Sequence, residues 1–179
     1  KEITENIVLA GVFKRNYVQK GHGYPFLGGK EITQLSPETD KYLSKITHKK
    51  RYEKELRVKE NWILVTDRGT IGKVVIVPKY MENMAVSQNV LKIVPKIYPG
   101  YIYCFLNSDY GLIKRQSYGS VVNMIDDSSL GDVQIPIIKD REIVKKIDCL
   151  VLEANELRYQ AYKQEQQAIE IMNREVLGL

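Results

Sequence analysis

The residues best equipped for chemistry lie between two apolar runs in "WILVTDRGTIGKVVIVP", Trp62 to Pro78. Arg68 carries a planar guanidinium whose paired N–H groups match guanine O6/N7 or a phosphate, and Thr70 adds a short donor and acceptor. Gly69 and Gly72 allow such a tip to take φ > 0 and to lie close to another backbone, and Lys73 stands at its base. A second polar group, Ser87-Gln88-Asn89, interrupts "MAVSQNVLKIV" at its centre. Its amides are of the kind that pair with adenine through two hydrogen bonds, and they equally suit a β-bulge that satisfies its own polar groups. A third group is cationic. In "KITHKKRYEKELRVK", Lys45, Lys49, Lys50, Arg51, Lys54, Arg57 and Lys59 face only Glu53 and Glu55, an imbalance that fits a polyanion or a solvated helix face.

Catalytic patterns fail one by one. A nucleophile elbow needs G-x-S-x-G, and "YGSVV" lacks the second glycine. A P-loop needs a hydroxyl residue after its lysine, absent from "GKEI" and "GKVV". No Asn/Asp-Pro-Pro-aromatic stretch occurs among the six prolines. Asp126-Asp127 before Ser128-Ser129 has the pattern of a helix N-cap. Glu53, Glu55 and Glu60 lie amid the basic run and make a poor nuclease metal cluster. Two cysteines, Cys104 and Cys149, with two histidines, His22 and His48, cannot build a disulfide framework or a structural zinc site. The remaining chemistry is that of a reader, and no enzyme activity or bound metal is expected.

The elements that must position these groups follow from pattern. The 179 residues, 44% apolar and 27% charged, suffice for one globular body with an appendage. The net charge of +5 is concentrated early: residues 1–60 hold 13 Lys/Arg against 8 Asp/Glu, and the rest of the chain is close to balanced. No apolar run reaches the roughly 18 to 20 residues that cross a bilayer, and no signal-peptide core is evident, so a cytoplasmic protein is expected. "GYPFLGGKEI" reads as a glycine-punctuated loop entering a strand, and Ser36-Pro37-Glu38 as the start of a short helix. "WILVT" and "KVVIV" predict strands buried on both faces, and "MAVSQNVLKIV" continues their sheet. A helix is expected after Pro99 with a break near Asn107 to Asp109. A short strand, a helical turn and a strand closed by Pro136 should follow.

The end of the chain differs in kind. From Arg141 to Leu177 there is no Gly or Pro, and heptad steps pick out Ile143, Ile147, Leu150, Ala154, Leu157, Ala161, Gln164, Ala168, Ile171 and Glu175. A helix of that length extends about 55 Å at ~1.5 Å per residue, so it is expected to protrude and to offer its apolar seam to another helix. Folding back over its own body is the alternative.

Taken in order, "GYPFLGGKEI", "WILVTDRGTIGKVVIV", "AVSQNVLKIVP", "YIYCFLNSDYG", "YGSVVNMIDDSSLGDVQIPI" and the closing helix resemble one half of the specificity subunit of type I restriction-modification systems. The resemblance implies an α+β fold: a compact mixed-sheet target recognition domain over residues 1–138, then a coiled-coil-forming helical spacer over 139–179. It implies a non-catalytic reader of one half of a split site in double-stranded DNA, acting with DNA methyltransferase subunits and a restriction/translocase subunit. It also implies pairing through the helix with a second copy or a second recognition domain. S-adenosylmethionine would be used by the methyltransferase partner, with no cofactor held by this chain. The chain would be a half-subunit, part of a longer subunit, or the reading portion of a fused restriction-methylation enzyme. A general nucleic-acid module with a coiled-coil arm is the rival reading. The DNA-contacting candidates are Arg68, Thr70, Lys73, Ser87, Gln88, Asn89, Lys49, Lys50 and Arg51, with Lys30 and Tyr118 added from glycine-bearing stretches.

Overall fold

The computed structural model describes residues 3–67, 71–111 and 125–179. Arg68, Thr70 and Tyr118 lie outside the described residues, as do the expected strand after Tyr118 and the second part of the helix expected after Pro99. Eight strands are described: β1 (Thr4–Val8), β2 (Tyr17–Val18), β3 (Gly23–Leu27), β4 (Tyr42–Ser44), β5 (Ile63–Thr66), β6 (Val74–Ile76), β7 (Ala85–Val86) and β8 (Val90–Pro95). They form two four-stranded sheets, β1-β8-β5-β6, antiparallel throughout, and β2-β4-β3-β7, in which β3 and β7 run parallel.

The β-branched density of β5 is explained by its central place. Ile63 and Val65 pack with Leu91, Ile93, Ile102 and Leu106 on one face, and Leu64 packs with Leu27, Val58, Val77 and Met81 on the other. All four residues of β5 are buried, as its continuous apolar run predicts. A third cluster, Phe26, Leu43, Tyr52, Leu56 and Ala85, fills the second sheet against the first helix.

Several expectations are corrected. "MAVSQNVLKIV" is not one interrupted strand: Ser87 to Asn89 form the turn between β7 and β8, which belong to different sheets. Val90 N donates to Ser87 O at 3.1 Å and Asn89 N to Ser87 Oγ at 3.3 Å, so the serine closes its own turn. "GYPFL" is the strand itself, ended by Gly28 and Gly29. The loop follows it. No helix begins at Ser36: residues 37–41 are irregular with a bend at Asp40 and lead into β4, with Phe26 N donating to Lys41 O at 2.9 Å. The first helix, α1 (Lys45–Arg51), starts instead under Ser44, whose Oγ accepts from Thr47 N, and continues through π turns to Leu56. α2 (Pro99–Asn107) ends at Asn107 as expected. In α3 (Asp127–Gly131), Asp126 is the N-cap that its sequence predicts: Oδ1 accepts from Ser129 N at 2.7 Å and Ser128 Oγ at 2.9 Å, and these bonds hold its carboxyl below the usual range. The segment before Pro136 is irregular and pairs with no strand among the described residues.

The long helix, α4 (Arg141–Ile171), is capped by Asp140 and continues through π turns to Leu177. Its first half does not protrude. It docks on the body along one stripe: Val144 is fully buried, Asp148 accepts a hydrogen bond from Tyr101 N at 3.1 Å, and Asn155 Nδ2 donates to Asn61 Oδ1 and Val77 O at 3.1 and 3.0 Å. Tyr162 then stacks on Tyr80 at 4.3 Å. Beyond Tyr162 nearly every residue is exposed. No described helix is long and apolar enough to cross a membrane.

Candidate nucleic-acid interface

The cationic helix is anchored from below and exposed above. His48, Tyr52 and Leu56 are buried, whereas Lys45, Ile46, Lys49, Lys50 and Lys54 face solvent. Beneath it, Tyr52 stacks on Tyr24 at 3.6 Å and donates its hydroxyl to Asn83 O at 2.6 Å. The end of the π turns is tied down by Lys92 of β8, whose Nζ donates to Glu55 O. Burial lowers the pKa of that amine to about 8, with Glu55 opposing the shift. Lysine on a central strand is therefore an inward strut here and makes no part of the cationic surface.

A loop missed by pattern reading lies against α1. Asn16 N donates to His48 Nε2 at 3.0 Å, an interaction that needs the neutral imidazole. Burial first, then the neighbouring Arg51, keeps the pKa of His48 below its ordinary value and favours that form. Phe13 meets the His48 ring edge-on at 5.3 Å and lies under the Arg51 guanidinium at 4.9 Å. Arg51 also pairs with Glu55 at 2.5 Å, so its charge is partly answered inside the chain, whereas among the described residues Lys49 and Lys50 have no such ion pair. The same loop carries Lys14 and Arg15, and Arg15 Nη2 donates to Gln88 Oε1 at 2.7 Å.

Gln88 thus connects the loop to the β7–β8 turn, and the turn connects to the hairpin: Asp67 N donates to Asn89 O at 3.1 Å. The described base of the hairpin is closed by Gly72, at φ +76° and donating to Thr66 O at 2.9 Å, and by Lys73 N, which donates to Thr66 Oγ1 at 3.0 Å. Lys30 is exposed beside Gly29, where an added Cβ would meet Thr66 Cγ2 at 3.3 Å, so this loop also reaches the hairpin base. Of the sequence candidates, Gln88, Asn89, Lys30 and the legs of the hairpin come together, with α1 joined to them through the loop. Ser87 is buried, and its Oγ accepts from Asn89 N within its own turn. Lys73 lines a separate depression with Tyr103 and Arg158. Among the described residues no group of His, Cys, Asp and Glu could hold a metal ion.

A family model for the type I restriction modification DNA specificity domain matches residues 7–169. The chain belongs to that family. Solved structures of like fold include the S subunit of a type I restriction-modification system from M. genitalium, 14% identical with a TM-score of 0.58. The match covers 98% of this chain and 42% of that one. The HsdS subunit from Thermoanaerobacter tengcongensis is 17% identical with a TM-score of 0.59, over 98% of this chain and 38% of that one. A third, from work on complex assembly and conformational transition of the type I R-M system, is 15% identical with a TM-score of 0.63, over 97% and 41%. This chain spans about two fifths of each of those chains. No curated protein matches it.

In this specificity domain the predicted helical seam and the docking stripe are different faces of α4. The body takes Val144, Asp148, Val151, Asn155 and Tyr162, each seam position lying about one residue away. Ile147 and Ala154 of the seam are half-buried, whereas Ile143, Leu150, Leu157, Ala161, Ala168 and Ile171 are exposed. Leu157 is 63% exposed, in line with exposed Ile143 and Leu150 on the same seam.

Proposed function

We propose that the chain reads one half of a bipartite site in duplex DNA for a restriction-modification methyltransferase, and that the seam of α4 receives a second helix. In this reading the chain performs no chemistry. The methyltransferase partner uses S-adenosylmethionine, and a restriction/translocase subunit joins for cleavage. The observation that carries the reading is the exposed row Lys45, Lys49 and Lys50 on α1 with Lys54 on the π turns that continue it, joined by hydrogen bonds to a loop, a polar turn and a hairpin in a member of the DNA specificity family. Cations at such spacing neutralise phosphates, and the neighbouring amides and guanidinium suit base edges.

The test is salt dependence. Each phosphate contact contributes about 0.9 to the slope of log affinity against log salt, so Lys49→Gln with Lys50→Gln is expected to flatten it by about 1.8. The loss should be alike for all duplex sequences. An unchanged slope would reduce the row to a solvated face, and tighter binding to duplex RNA than to duplex DNA would favour a general nucleic-acid module.

Helix pairing has its own readout. Leu157→Asp places a charge in the seam without touching the body-facing stripe, and is expected to convert a two-fold assembly into single chains by light scattering. A mass already that of one chain in the wild type, or unmoved by the substitution, argues that α4 serves its own body only.

A further inference from the structure

Resting on the proposed DNA reading, we infer that Arg15 is a guanine-reading residue and that Gln88 positions it. The arginine is held on two sides. Its Nη2 donates to Gln88 Oε1 at 2.7 Å, and its guanidinium lies over the buried Phe26 ring at 5.4 Å. The backbone beside it is fixed twice, because Asn16 N donates to His48 Nε2 at 3.0 Å and Asn16 O accepts from Ser44 N at 2.9 Å. A guanidinium presents five N–H groups, and a neutral carboxamide takes one of them while leaving the charge intact. Among the described residues Arg15 has no recorded ion pair, although Glu31, Glu38 and Asp40 line the same depression. Glu31 is engaged elsewhere, accepting from Gly28 N at 2.9 Å.

The setting separates this arginine from an ordinary surface cation. It stands with Tyr17, Phe26 and Ser87 at a depression of about 400 Å³. An exposed arginine ordered by an amide and an aromatic ring before any ligand arrives loses little rotamer freedom on binding. Its free N–H pair matches the O6 and N7 acceptors of guanine in the major groove, in a fixed planar fork that the single ammonium of lysine does not have. Gln88, a candidate adenine reader by sequence, has its amide oxygen committed to Arg15 and so acts through it.

The experiment selects duplexes from a randomised pool with the chain in complex with its methyltransferase partner, then replaces each selected guanine by 7-deazaguanine, which removes only N7. At one position the replacement is expected to weaken wild-type binding about tenfold and to leave Arg15→Ala unaffected. Arg15→Lys, which keeps the charge without the planar fork, should weaken the same discrimination while retaining affinity for unrelated duplexes. Gln88→Ala should lower guanine discrimination in the wild-type background and change nothing further in Arg15→Ala. A selected half-site without guanine overturns the inference. So does an Arg15→Ala variant that weakens every duplex equally, the behaviour of a phosphate contact, or that weakens none. Wild-type complex that selects no sequence sinks the DNA reading itself, a result distinct from selection that ignores Arg15.

Discussion

Alanine at Gly100 is expected to lower the unfolding free energy by about 1–3 kcal/mol, opposite in sign to what helix propensity alone gives. Gly100 lies in the first turn of α2, where glycine to alanine in an open helix gains up to about 1 kcal/mol. Here an added Cβ would stand 2.5 Å from Asp148 O and 2.9 Å from Val151 Cβ, both on α4. Neither atom is the end of a flexible side chain, so the two helices must part. Parting them also lengthens the bond from Tyr101 N to Asp148 Oδ1, which caps an α2 whose own N-cap residue, Tyr98, offers no side-chain bond. The control is Gly131→Ala, where the nearest neighbour, Ile7 Cδ1, is at 3.9 Å and the change should be close to neutral. Urea unfolding of the three proteins decides the matter. Equal stability of Gly100→Ala and wild type would mean that α4 is not seated against α2. This contact holds the long helix against the body through α2.

What the sequence reveals and what it hides divide along physical lines. β5 and β6 are legible because a strand buried on both faces must be apolar at consecutive positions, and "WILVT" and "KVVIV" are. α2 and α3 are legible through Pro99 and the Asp126 cap. The second sheet is not, since β2, β4 and β7 have two or three residues each, too few to show a period of two. The hairpin and the α1 lysines announce themselves by composition. Arg15 does not: a lone cation in a loop carries no pattern, and its partner Gln88 lies 73 residues away. On α4 the heptad count favours the more aliphatic stripe, whereas the body is met by one containing Asp148, Asn155 and Tyr162, whose value lies in polar and ring contacts that only the fold supplies.

Lys92 gives the other large effect, visible in the dependence of stability on pH. The side chain is 1% exposed, its pKa falls from 10.5 to about 8 through burial, and Nζ donates to Glu55 O. In the unfolded chain the amine titrates near 10.5, so between about pH 8 and 10.5 the unfolded state binds more protons than the folded one. Stability contributed by a group with a depressed folded pKa is present above the unfolded value and lost as pH falls through the folded value. Wild-type stability should therefore gain about 3 kcal/mol from this group as pH rises across that window. Tyr52 and Tyr80 act in the reverse sense, because burial raises their pKa values and their contribution is lost as pH rises past 10. Lys92→Met retains both tyrosines, so the difference between variant and wild type isolates the amine. That difference, from denaturant unfolding at several pH values between 7.5 and 10.5, should change by about 3 kcal/mol in favour of wild type at the alkaline end. A difference that stays flat would mean that the amine is solvated in the folded chain. The strut would then be lost as an explanation for how the sheet fixes the end of the helix that presents Lys49 and Lys50.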